Sequence, residues 1–297
     1  MILESEKEFF EFIYKRQLIW YKRFVLNEKA PWSEDRILKT FKIINVYREL
    51  DRCTLYIINK LKNLQNRDYL FLNIVFFRFF NKNNLYESLE INPFEKIDKN
   101  LKEKINQKFS ELKKQGKPIF NNAYLISSGK KGKEKHISII ENLSKINLKE
   151  MVEKIDKTKT PEESFEVIKE IPMVGPFLAC EIWTDLTYLN FFKQKWNDND
   201  FVNIGPGAKW GLEIIYEKRL NKKEQKEKLN RLYDLQKEIL PELNKKPLWK
   251  ELAYKNAFSN HPFLSITNIE GALCEFRKYK NLSQGKGKKR YFFQNTP

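Results

Sequence analysis

Between Ile171 and Leu212 the chain reads IPMVGPFLACEIWTDLTYLNFFKQKWNDNDFVNIGPGAKWGL, which concentrates residue types suited to holding a phosphate and moving a proton. Pro172, Gly175 and Pro176 spell a tight reversal between two helices. Such a turn lets backbone N–H groups and a helix N-terminus face a phosphate, with Val174, Gly175 and Phe177 as the contacting positions. Glu181 and Asp185 follow four residues apart, so they share a face of the second helix. The rest of that helix is apolar (Leu178, Ile182, Trp183, Leu186), and the pair is either a buried polar site or an exposed stripe. Asp198, Asp200 and Asn203 then lead into Gly205-Pro206-Gly207, after which a helix begins near Ala208. Carboxylates beside such a turn can orient a nucleophile or stabilise developing positive charge.

The elements that must position these residues are helical. Apolar residues recur at helical spacing over 5–28, 67–81 and 208–219, and helices are also expected over 95–115, 135–154, 222–240 and 246–257. Thr160-Pro161-Glu162-Glu163 is a helix start, with Thr160 as cap and Pro161 at the first helical position. Ser33 is expected to cap a helix after Pro31-Trp32. Asn121–Ile126 reads as a short strand or a turn of helix, the one minor strand element. The spacing predicts an all-α fold, one composite helical domain in four stretches. These are N-terminal helices (1–95), charged helices with a basic Gly/Lys loop (96–160), the hairpin with its acidic loop (161–220), and C-terminal helices with a basic tail (221–297).

The chain of 297 residues holds 56 Lys and Arg against 39 Asp and Glu, a net charge of +17 that calls for a polyanionic partner. Asn45, Arg48 and Arg52 fall at i, i+3 and i+7 of an expected helix, either a solvated face or a phosphate contact. Lys130 and Lys131 sit in the SSGKKGK loop, which can cradle phosphates but lacks the Walker spacing. Lys209 adds a cation beside the GPG turn. Three scattered cysteines argue against a disulfide framework, and two histidines give little basis for a metal site. No metal and no cofactor are expected. The longest apolar run, Leu70–Phe80, is interrupted by Asn73 and Arg78 and is too short to span a bilayer, so no membrane association and a cytoplasmic location are expected.

The hairpin resembles that of the helix-hairpin-helix DNA glycosylases, with Met173 where that pattern has its first glycine. The resemblance implies that Phe177, at the place of the lyase lysine, excludes Schiff-base chemistry. It also implies a catalytic carboxylate at Asp200, with Asn203 closer by spacing and Asp185 as a further candidate, and puts Glu181, Gly205 and Gly207 among the substrate contacts. A wider set of matches runs in order along nearly the whole chain: Pro31-Trp32 with Asp35, NVYRELDR (45–52), FRFFN (77–81), NAYLIS (122–127), IPMVGPFLACEIWTDLTY (171–188), NDFVNIGPGA (199–208) and LCEFRKY (273–279). Together they resemble the alpha-glutamyl/putrescinyl thymine pyrophosphorylase family, which includes the helical domain of 5-hydroxymethyluracil DNA kinases and is regarded as a branch of that glycosylase superfamily.

This resemblance implies double-stranded DNA with modified pyrimidines as partner, and a target base that leaves the stack. The first expectation is a monofunctional glycosylase excising a modified pyrimidine, in anti-phage defence. The alternative is a transferase that replaces pyrophosphate on 5-hydroxymethyl-pyrimidine DNA with an amino acid or polyamine, with the basic loop or the GPGAK turn holding the pyrophosphate. A third is a non-catalytic DNA-binding module. Without a Walker loop the chain is not expected to be the kinase itself. Segments 45–52 and 273–279 are expected to fold against 171–212.

Overall fold

The computed structural model describes residues 1–90, 93–121, 133–243, 245–255, 263–287 and 289–291. Among them are fourteen α-helices, one 3-10 turn and no named strand, only an isolated bridge between Phe41 and Tyr291. The all-α expectation therefore holds. The helices are α1 (Glu4–Phe24), α2 (Arg36–Thr40), α3 (Arg52–Leu61), α4 (Arg67–Phe80), α5 (Asn83–Glu87), α6 (Lys99–Lys114) and α7 (Lys135–Leu143), then α8 (Leu148–Lys157), α9 (Pro161–Lys169), α10 (Pro176–Tyr188), α11 (Pro206–Tyr216), α12 (Lys222–Glu242), α13 (Trp249–Leu252) and α14 (Ile266–Ser283). No described helix is long and apolar enough to cross a membrane.

The chain divides into two compact units, residues 1–51 with 204–297, and residues 52–203. In the first, α1 buries Phe9, Phe10, Phe12 and Ile13, and Phe9 meets Phe276 of α14 edge-on at 5.4 Å. Helix α11 lies against α14 with almost no gap. A β-carbon at Gly211 would come within 2.4 Å of the Leu273 carbonyl oxygen, and one at Gly207 within 2.7 Å of Cys274 Sγ. Two glycines four residues apart on one face permit that approach. Asp35, not Ser33, caps α2, accepting from the N–H groups of Ile37 and Leu38. The expected tail from Lys278 is still helical to Ser283, because α14 starts at a Ser265 cap and runs through the 273–279 motif.

The second unit is built around α4, in which every residue from Leu70 to Phe80 is buried. Phe76, Phe77, Phe80, Tyr86, Phe94 and Phe109 form an aromatic cluster on it, with Phe80 and Phe109 centroids 4.9 Å apart. Asn73 is fully enclosed yet satisfied. Its amide donates to the carbonyls of Tyr69 and Phe94, and its oxygen accepts from the Tyr86 hydroxyl and the Phe94 N–H. Trp183 is also fully buried and donates to Ser164 at 2.8 Å, tying α10 to α9.

Three expected helices differ, and the one expected over 246–257 shrinks to the four residues Trp249–Leu252. Residues 135–154 form α7 and α8, because Ser144 ends one helix and Asn147 caps the next. The helix expected around 45–52 does not form: Tyr47 and Asp51 are extended and flank the 3-10 turn Arg48–Leu50. Asn45 and Arg48 thus belong to the first unit, Arg52 opens α3 in the second, and the three share no helix face. The minor strand element expected at 121–126 lies, beyond Asn121, outside the described residues, as do Lys130 and Lys131.

Candidate functional site

The hairpin in the second unit runs from α9 to α10. The Val174 N–H donates to the Ile171 carbonyl at 3.0 Å, Gly175 stands at the N-cap of α10, and Pro176 fills the first helical position. The left-handed residue is Met173, with φ +71°. Where the glycosylase pattern has glycine, methionine takes up the conformation that glycine favours, at a cost of roughly 1–2 kcal/mol. Gly175 faces open space and Phe177 is 53% exposed, so the turn presents backbone and an aromatic ring to solvent.

One face of α10 then runs from Phe177 through Glu181 to Asp185. Asp185 is fully buried and takes Arg78 in a two-pronged contact, Nε to Oδ2 at 2.5 Å and Nη2 to Oδ1 at 2.7 Å. Arg78, 1% exposed, also donates to Thr54 at 2.9 Å and Asn81 at 3.0 Å, and its Nη1 lies 3.6 Å from Glu181 Oε2. The planar guanidinium thereby spends its fork of donors on side chains of α3, α4 and α10. Asn81 ends α4 in the left-handed conformation, φ +47°, and its carbonyl accepts from the Asn121 amide and from Cys53 Sγ. With Asp185 matched to Arg78, the carboxylate of this network that reaches the surface is Glu181, 17% exposed. The arrangement places a partly exposed carboxylate beside a fixed buried cation, where it can accept a proton or a hydrogen bond.

The sequence pattern put Glu181 and Asp185 on one face, and the structure resolves the choice it left open in favour of a buried polar site. Asp185 is fully buried, so it does not itself face a ligand. Arg78 carries a sequence signal of its own, a cation inside an eleven-residue apolar run. The acidic loop behaves differently. Asp200 is exposed, and its carboxylate accepts the Asn197 N–H at 2.7 Å, closing the 197–200 turn. Asp198 is buried and receives the Tyr188 hydroxyl at 3.3 Å. Asn203 is half-buried at the end of the second unit.

In the first unit, the GPGAK turn meets the 273–279 motif, as expected of that motif. Glu270, Cys274 and Arg277 share a face of α14 and underlie Gly205, Gly207 and Trp210 of the α11 segment. The Gly205 N–H donates to Glu270 at 3.0 Å, so a carboxylate of the chain stands where a pyrophosphate was expected. Gly207 serves helix contact. Burial first, and then Glu270 and Glu275, push the Cys274 thiol well above its ordinary range and keep it neutral. Lys209 lies 3.8 Å from Glu213. Asn45 is internal as well, receiving Arg16 at 2.7 Å and donating to the Leu50 carbonyl, and the Arg48 N–H donates to Asn268. Arg52 is exposed and lines a shallow depression with Tyr56, Lys60 and Asn83. Among the described residues, no group of three or more His, Cys, Asp or Glu side chains is placed to hold a metal ion.

Residues 4–289 match the family described as 5-hmdU DNA kinase, helical domain. The chain is 28% identical over 288 residues to the 5-hmdU DNA kinase of Bacillus phage SP10, an alignment that covers 90% of this chain and 43% of the relative. The chain thus spans less than half the length of the curated relative it matches. No solved structure matches it. The expectation of base excision is corrected here: both matches carry the name of a DNA kinase, and neither is to a glycosylase or another hydrolase. The wider glycosylase superfamily does not figure among the matches, whereas the finer part of the resemblance does, and the chain belongs to the family of the 5-hmdU DNA kinase helical domain.

Proposed function

We propose that this chain engages double-stranded DNA carrying 5-hydroxymethyl-deoxyuridine and serves group transfer at the hydroxymethyl group, as a transferase that replaces pyrophosphate there with an amine. The observation that carries the reading is Glu181, held at the surface beside a buried Arg78–Asp185 pair in a chain of this family. In the proposed step the amine nitrogen forms a bond to the exocyclic methylene carbon. The carbon–oxygen bond breaks, and its electron pair leaves with the pyrophosphate. The proton shed by the new ammonium passes to the Glu181 carboxylate, which acts as general base. With the Val174 N–H taken by the Ile171 carbonyl, Gly175 and Phe177 would face the DNA backbone at the hairpin, and the net charge of +17 supports a polyanionic partner.

A second reading rests on the relative's name. There the hydroxymethyl oxygen attacks a phosphoryl donor, the oxygen–phosphorus bond forms, the donor's leaving group departs, and Glu181 takes the hydroxyl proton. One experiment separates the two. The protein is incubated with an oligonucleotide duplex carrying 5-hydroxymethyl-deoxyuridine plus nucleoside triphosphate, and with the pyrophosphorylated duplex plus glutamate or putrescine. Amine-dependent pyrophosphate release supports the transferase, and label transfer from the triphosphate supports the kinase. Absence of both products, with the duplex bound, refutes a catalytic role at this site.

A further inference from the structure

Of the three tryptophans between Ile171 and Leu212, Trp183 is sealed in the core and Trp196 is half-buried against Phe192. Trp210 is different. It lies on α11, one turn beyond Gly207, and is 48% exposed. The guanidinium of Arg277 sits over its ring, 4.9 Å from the centroid, and the Arg277 Nε is buried without a hydrogen-bond partner. The close α11–α14 contact through Gly207 and Gly211 brings the helices that carry the two residues together.

The surroundings fix the kind of partner. Among the described residues of α11 and α14, Trp210 is the one large apolar side chain left exposed, a single ring rather than a row of apolar side chains along the helices. Lys209 is next to it, 42% exposed, and two acids of this face are already engaged, Glu213 near Lys209 and Glu270 on the Gly205 N–H. A flat aromatic face backed by a planar cation, beside lysine, is the arrangement that stacks an unpaired nucleobase and draws its phosphate.

We propose that Trp210 and Arg277 form a stacking platform for an unpaired base of DNA, a nucleic-acid contact in the first unit distinct from the Glu181 site of the second. The proposal rests on the reading of the chain as a DNA-engaging protein. The test is fluorescence anisotropy with three labelled oligonucleotides: single-stranded dT12, the same length of abasic strand, and a fully paired duplex. The proteins are the wild type, Trp210→Ala, Trp210→Phe and Arg277→Ala. The expected result is that Trp210→Ala weakens dT12 binding on the order of tenfold, Trp210→Phe retains most of it, and the abasic strand binds equally to wild type and Trp210→Ala. Arg277→Ala should lower affinity for dT12 and also flatten its salt dependence, since a cation is lost.

Equal binding of dT12 by wild type and Trp210→Ala overturns the platform while leaving the DNA reading intact. So does equal loss on dT12 and the abasic strand, which assigns the residue to the backbone. A change of oligomeric mass in Trp210→Ala with unaltered DNA affinity overturns it in favour of a protein contact. A wild type that binds none of the three oligonucleotides overturns the DNA reading and the platform with it.

Discussion

Replacing Asp185 by asparagine removes one charge and almost no volume, and the structure sets the size of the effect. Asp185 is fully buried, Arg78 is 1% exposed, and their two contacts are 2.5 and 2.7 Å. The asparagine keeps one acceptor for the guanidinium but turns an amide N–H group toward the other donor, and Arg78 keeps its charge in the core. Breaking a buried pair from one side costs roughly 3–5 kcal/mol. In a unit of about 150 residues that corresponds to a drop in melting midpoint on the order of 10 °C. Glu181→Gln supplies the contrast. The Glu181 carboxylate is 17% exposed and stands 3.6 Å from Arg78, beyond hydrogen-bond range, so neutralising it disturbs Arg78 less than breaking the two-pronged contact with Asp185. Thermal unfolding followed by tryptophan fluorescence compares the two, since Trp183 lies in the same core. A midpoint for Asp185→Asn within two degrees of the parent, or an equal drop in both variants, refutes the division between a buried positioning pair and a surface carboxylate.

Other perturbations test the supports of the site. Gly211→Ala puts a β-carbon against the Leu273 backbone and should destabilise by about 1–3 kcal/mol in urea unfolding, whereas Gly207→Ala meets the Cys274 side chain and should cost less. Met173→Gly should leave stability within about 1 kcal/mol of the parent, because relief at φ +71° offsets the entropy of glycine, while the β-branched Met173→Ile should lose more than that. Glu6 is an acid-sensitive joint of the first unit. Burial alone would raise its carboxyl, but Arg231 at 2.6 Å, the Leu3 N–H and the Tyr216 hydroxyl outweigh it and hold it below the ordinary 4.5. A depressed folded pKa gives stability that is present above about pH 4.5 and lost as pH falls through the folded value. The stability gap between parent and Glu6→Gln should therefore stay constant from pH 7 to 5 and shrink below 4.5.

The legible parts of the fold were those with local causes. Thr160 caps α9 by accepting from Glu163, and Pro161 takes the first helical position as its fixed φ demands. The reversal at Pro172–Gly175 is likewise local. What escaped the sequence was tertiary. Asp185 and Arg78 are 107 positions apart, and nothing in either helix announces the other. The 45–52 segment misled because its polar spacing fits a helix, while Asn45 and Arg48 are drawn instead to Arg16 and Asn268 across long stretches of chain. Gly205 and Gly207 drew attention as a phosphate turn, yet one serves a carboxylate from α14 and the other a close helix crossing. Asp200 had the right company of residue types, and its carboxylate closes its own turn.

The central claim is that Glu181 is the base for transfer at the hydroxymethyl group of the modified DNA. The most direct measurement is pyrophosphate release from the pyrophosphorylated 5-hydroxymethyl-deoxyuridine duplex with amine, comparing wild type and Glu181→Gln at matched duplex occupancy. The account predicts that Glu181→Gln binds the duplex with unchanged affinity and releases pyrophosphate at least about a hundredfold more slowly. Release at the wild-type rate by Glu181→Gln would contradict it.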